Sequence, residues 1–135
     1  MTKALLIAIA LMAPMRSLET RDGPVPGNWT VSGRDAHEWS ATLVFTRVEG
    51  PHLEGFFLWR GLDIDASGFE PFIGTYDSKS RWISLTGRGI YDPRGPIATA
   101  RYTARLSSDL THLVEGRWYG PEVEVGTWTA VVGQH

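Results

Sequence analysis

Asp63-Ile64-Asp65-Ala66-Ser67-Gly68 sets oxygen donors at alternate positions ahead of a glycine, the first half of a calcium loop. The bidentate carboxylate that completes such a loop is missing, because Gly74 stands in its place and Glu70 is the one nearby substitute. The segment therefore reads as an acidic interstrand loop. His37, His52, His112 and His135 have no i, i+2 spacing within one strand that would seat a metal, and each stands beside a turn or at the terminus. No metal site and no cofactor is expected. The chain has no cysteine, which excludes disulfides, thiolate metal sites and thiol nucleophiles. It also lacks a Gly-x-Ser-x-Gly elbow, a P-loop and a dinucleotide fingerprint. A triad defined by geometry and not by chain order stays open. No residue is assigned a catalytic role, and the groups left to meet a ligand are the phenols Tyr76 and Tyr102 and a set of tryptophans.

Those side chains need elements to hold them, and the pattern supplies strands. From Ala98 to Leu106, from Val114 to Trp118 and from Gly126 to Val132, apolar or small residues alternate with Thr, Arg or Glu. Period two marks a half-buried β-strand, since successive side chains leave opposite faces of the pleat. Upstream, strands are predicted from Gly27, over Trp39 to Val48, Leu53 to Arg60, Phe69 to Asp77 and Arg81 to Arg88. Tyr91-Asp92-Pro93-Arg94-Gly95-Pro96 reads as a loop. Helical periodicity is absent after Asn28, so βαβ architectures are excluded.

Eight sequential strands joined by short turns fit an up-and-down barrel or a two-sheet sandwich. Closure removes exposed edges and favours the barrel. The fold class expected is thus all-β, an eight-stranded antiparallel up-and-down barrel. Parity then directs Trp39, Ala41, Leu43, Phe45, Leu53, Gly55, Phe57, Trp59, Phe72, Gly74, Tyr76, Ile83, Leu85 and Gly87 inward. Ala98, Ala100, Tyr102, Ala104, Leu106, Val114, Gly116, Trp118, Gly126, Trp128 and Ala130 complete that set, which holds no charged residue. Arg101, Arg105, Arg117 and Glu115 fall on the outer face, where cross-strand salt links contribute only about 0.2–1 kcal/mol each.

The 135 residues make one domain. Hydrophobic residues at 42% and charged residues at 21% are enough for a packed core and too ordinary for wholesale disorder. A net charge of −2 argues against a nucleic-acid partner, which demands a basic face. Lys3 precedes an unbroken apolar run, Ala4 to Ala13. That run is shorter than the roughly 20 residues a membrane-spanning helix needs, so no stable membrane span is expected. Residues 1–20 are read as a secretory signal peptide, with an N-terminal helix packed on the domain as the alternative, and residues 21–135 as the barrel. Export to the periplasm or medium is the expected localisation, the cytoplasm its alternative.

Gly27-Asn28-Trp29 opening an eight-stranded meander resembles the calycin group, the lipocalins and avidin-type barrels. Gly74-Thr75-Tyr76, Leu85-Thr86-Gly87-Arg88 and Gly126-Thr127-Trp128 are similar to avidin-type sequences. The resemblance implies a ligand held inside the barrel. Two departures qualify it. Lipocalins set an arginine late in the barrel over the first-strand tryptophan, and here Arg117, one strand earlier, is the stand-in. An avidin-type biotin site needs several Asn, Ser and Asp groups, and Asn28 is the sole asparagine of this chain.

The inward set mixes very large with very small side chains, so an interior cavity is expected beside the Ala98-Ala100-Ala104 strand. Trp39, Trp59, Tyr76, Ala100, Tyr102, Trp118 and Trp128 are its candidate ligand-binding residues. A small apolar or aromatic molecule is the expected partner. A cofactor-independent cyclase or isomerase, and a filled barrel acting as a structural or interaction module, are the alternatives, because an eight-stranded barrel is of a size either to be filled or to hold one small ligand.

Overall fold

The computed structural model describes residues 23–120 and 123–133. Nine strands follow in order: β1 (Gly27–Arg34), β2 (Glu38–Glu49), β3 (His52–Gly61), β4 (Ser67–Tyr76), β5 (Trp82–Gly87), β6 (Tyr91–Arg94), β7 (Arg101–Leu106), β8 (His112–Gly120) and β9 (Val123–Val132). Every pairing is antiparallel. β1 lies between β2 and β9, and β3 pairs with β4, so eight strands close on themselves as an up-and-down barrel. This is the architecture that the calycin resemblance implies. Among the described residues there is no helix long and apolar enough to cross a membrane. Residues 1–20, on which the signal-peptide reading falls, lie outside the described residues.

β6 corrects the reading of Tyr91 to Pro96 as a plain loop. Its four exposed residues pair with β4 at Ser67 and Phe69, on the edge of β4 that β5 occupies from Phe72 to Tyr76. Pro93 is tolerated because an edge strand need not donate every N–H. The connection from β5 to β7 therefore runs along the first residues of β4, at one end of the barrel.

The core follows the period of two on most strands. Trp39, Ala41, Leu43 and Phe45 of β2, and Leu53, Phe57 and Trp59 of β3, are buried. So are Ile83 and Leu85 of β5, and Tyr102, Ala104 and Leu106 of β7. Trp29 and Val31 of β1 join them, fully buried. Three expectations are overturned. Val114 is only half-buried, while Leu113 is fully buried. The cause is a bulge between Leu113 and Gly116, where Glu115 adopts φ 55° and shifts the parity by one residue. Ala98 is exposed, because β7 begins only at Arg101. The interior is not free of charge either, since Glu70 of β4 is fully buried. On the outside, β3 and β4 also depart from the polar-outward rule, with Leu58 and Ile73 both exposed.

The barrel has one closed and one open end. Short turns after β2, β4 and β7 gather at the closed end. In the last of these Asp109 accepts from the Ser107 hydroxyl and from the Thr111 hydroxyl and N–H, which hold its carboxyl down at about 2. Pro24 is buried there, and the Trp29 indole donates to the Val25 carbonyl at 2.9 Å. Arg117 does not cover Trp29; its side chain is exposed on the outer face.

Glycine admits the large rings. Gly116 faces Trp128 and Trp118 faces Gly126 across β8 and β9, so two reciprocal Gly–Trp pairs stand side by side. A methyl at Gly116 would lie 2.8 Å from the Trp128 ring, and one at Gly126 would enter the Trp118 indole. Gly116→Ala and Gly126→Ala are each expected to cost about 1–3 kcal/mol through overpacking. Urea denaturation followed by far-UV circular dichroism measures this, and unchanged midpoints would contradict the pairing.

Candidate functional site

At the open end three segments converge. The β1–β2 connection brings Asp35, Ala36 and His37, the β5–β7 connection brings Pro96, Ile97 and Ala98, and the barrel wall brings Trp39, Trp59, Ala100, Tyr102 and Trp118. Between them lies a cavity of about 460 Å³. That volume falls within the roughly 300–1,000 Å³ of small-molecule sites. No lysine or arginine lines it among the described residues.

The walls are aromatic and mutually braced. Trp59 meets Trp39 edge-on at 6.3 Å between ring centroids and Trp118 edge-on at 5.5 Å. Tyr102 stacks on Trp59 at 6.0 Å and meets Trp118 edge-on at 6.2 Å. Trp118 has room because two glycines lie against it: a methyl on Gly33 would stand 2.6 Å from its ring, and one on Gly126 would overlap it. Trp39 is pinned by Asp35, whose Oδ1 accepts from the Trp39 indole at 3.0 Å and from the His37 N–H at 2.8 Å.

Behind this wall lies Glu70. Its Oε1 accepts from the Trp59 indole at 2.8 Å and the Tyr102 hydroxyl at 2.5 Å. Its Oε2 accepts from the Thr99 hydroxyl at 2.7 Å and the Ala100 N–H at 3.1 Å. Two of these donors, the indole and the amide, cannot accept, so the set matches the lone pairs of an ionised carboxylate. Gly87 makes the space, since a methyl there would collide with Glu70 Oε2. Among the described residues no Lys, Arg or His forms an ion pair with Glu70. Burial raises its pKa above the usual carboxylate range, opposed by the donors, Tyr102 first. Burial and the adjacent Glu70 push the Tyr102 phenol well above its ordinary value, so it stays a donor.

Of the seven candidate residues, Trp39, Trp59, Ala100, Tyr102 and Trp118 are brought together around the cavity. Tyr76 is not: it is buried at the closed end, beside Gly23. Trp128 packs in the core against Phe57 and Tyr102, and its indole donates to the Arg117 carbonyl at 3.1 Å. Ala98 reaches the cavity from the connection and not from a strand. Sequence reasoning missed Asp35, Thr99 and Glu70. Glu70 had a signal, for it shares the parity of Phe72, Gly74 and Tyr76. The other potential metal ligands do not gather. His37 lies 3.4 Å from Asp63, His52 lies 2.7 Å from Glu54, and His112 contacts Thr111. His135 lies outside the described residues. Among the described residues no group of three or more His, Asp or Glu is placed to hold a metal ion.

The buried carboxylate has a pH signature. With its folded pKa raised, the native state holds more protons than the unfolded chain between the two pKa values. Its contribution to stability therefore falls as pH rises from the unfolded value through the folded one. Glu70→Gln removes that slope. It also sets an amide NH₂ against a donor, at about 1–3 kcal/mol. Denaturant midpoints of both proteins from about pH 4 to pH 8 are expected to converge as pH rises. A constant gap would contradict the raised pKa.

Comparison of the chain with protein-family models, with curated proteins and with solved structures gives no match, so what can be said of this site rests on its own geometry.

Proposed function

We propose that the protein is an exported barrel that binds a small molecule with an apolar or aromatic body in the cavity at its open end. One observation carries the reading: Trp39, Trp59, Tyr102 and Trp118 line one space of about 460 Å³ at the open end. Rigid rings offer large contact area with little rotamer entropy to lose, and a few polar groups at the rim orient the guest. A lipocalin- or avidin-type manner of binding, with the ligand entering one mouth of the barrel, accords with this. Export is supported by Lys3 and the apolar run that follows it, and mass spectrometry of the native protein would then find an N-terminus between about Pro14 and Pro26.

The geometry favours binding over catalysis. General acid–base work needs a group whose proton moves near the working pH. Tyr102 is held as a donor, and both Glu70 oxygens are engaged by donors on the far side of the wall. The filled-module alternative requires a solid interior, and the cavity weighs against it.

Ala100 lines the cavity and is nearly buried, at 8% exposure. Filling a true cavity costs little, whereas overpacking a solid core costs about 1–3 kcal/mol. Titration with 4-nitrobenzyl alcohol, a neutral aromatic quencher, is expected to quench tryptophan fluorescence saturably. Ala100→Trp is expected to fold and to lose the saturable phase. Linear, purely collisional quenching of the parent protein, or unfolding of the variant, would overturn the reading.

A further inference from the structure

The cavity combines three features that neutral ligands do not require. Its lining includes three tryptophans and a tyrosine, packed against one another. Its lining holds a carboxylate, Asp35, and no lysine or arginine among the described residues. A fully buried carboxylate without a cationic partner, Glu70, lies directly behind two of those rings and behind Ala100. Taking a lone carboxylate out of water is costly, and mutual attraction with an opposite charge offsets that cost strongly at low dielectric. The faces of aromatic rings attract cations as well, tryptophan best of all.

Resting on the binding reading above, we propose that the ligand is an organic cation of the quaternary ammonium class, seated among Trp39, Trp59, Tyr102 and Trp118 with Glu70 as its buried counter-charge. The hydrogen bonding selects the quaternary form. A primary ammonium carries three donors that need acceptors. Glu70 has already received four, two on each oxygen, and Asp35 Oδ1 has received two, which leaves Asp35 Oδ2 as the single carboxylate oxygen to meet three ammonium donors. A trimethylated nitrogen needs no acceptor; it needs ring faces and a negative field. Glu70 therefore acts through the wall, by its field and by locking the Trp59 and Tyr102 rings that its oxygens hold.

The test compares three probes by isothermal titration calorimetry on the full chain. Choline carries a trimethylammonium group, 3,3-dimethyl-1-butanol is its neutral isostere, and ethanolamine is its primary-ammonium counterpart. Choline is expected to bind at least tenfold more tightly than either. Equal affinity for choline and the neutral isostere would overturn the cation proposal while leaving the cavity reading intact. Equal affinity for ethanolamine would overturn the quaternary selection. Should no probe bind and 4-nitrobenzyl alcohol also fail to quench saturably, both readings fall together. Glu70→Gln, which also disturbs the two rings that Glu70 holds, is expected to weaken choline about tenfold more than it weakens the isostere; an unchanged choline-to-isostere ratio in a folded variant would remove Glu70 from the proposal. Where that variant does not fold, the choline–isostere comparison on the parent chain decides alone.

Discussion

A carboxylate in the middle of an aromatic barrel has to be held from every side, and the hold on Glu70 organises the open half of this molecule. Through it β4 is tied to Trp59 on β3, to Tyr102 on β7 and to Thr99 and Ala100 where the long connection re-enters the wall. β4 and β7 are not neighbours; β5 lies between them. The bonds from Glu70 therefore run across the barrel's interior and add to the ladder along its wall. A satisfied buried network rigidifies what it touches, and a half-satisfied one is worse than an apolar core. Each donor is thus constrained in position, and two of the four belong to rings that shape the cavity.

The volume of the cavity follows from a division of labour along the barrel axis. Toward the closed end the inward positions are filled by Trp29, Phe45, Leu53, Tyr76, Ile83, Leu106 and Leu113. Toward the open end the inward set becomes fewer, larger rings with Ala100 between them. An eight-stranded barrel has room for one or the other arrangement at a given level. Large flat rings cannot fill a curved space as branched aliphatics do, and the residual space is the cavity. Gly33, Gly87 and Gly126 carry the same logic into the backbone, giving up side-chain volume where Trp118 and Glu70 need it.

Much of this was legible in the chain, and the failures have particular causes. Alternation on β2, β3, β5 and β7 identifies the core because the buried residues of each strand share one parity, the bulge of β2 falling after Phe45, the last of its buried residues. It fails at Val114 because a bulge adds a residue, and nothing in Val114-Glu115-Gly116 announces that Glu115 takes a left-handed backbone. It fails at Ala98 because a run that alternates need not be paired: the ladder with β5 reaches back only to Arg101. Glu70 was hidden by its chemistry. It lies in the predicted strand Phe69 to Asp77 with inward parity, but nothing near it in the chain marks a buried carboxylate, because its donors come from residues 11 to 32 positions away. For Tyr76 the alternation gives the side of the wall and misses the end of the barrel, since parity fixes the face of a strand and not the depth.

Depth is set by how the connections are distributed. The turns after β2, β4 and β7 and the segment around Pro24 occupy one end, leaving the connections 35–37 and 62–66 and the long one, 88–100, to the other. Backbone in such connections is harder to bury, because its polar groups need partners that a strand ladder would have supplied. Several of those partners come from the site itself. Asp35 caps the His37 N–H, Glu70 accepts the Ala100 N–H, and the Glu38 N–H donates to Asp63 at 3.1 Å. The acidic side chains at this mouth therefore serve two needs at once. They satisfy backbone N–H groups at the ends of the connections, and they place carboxylates beside and behind an aromatic cavity.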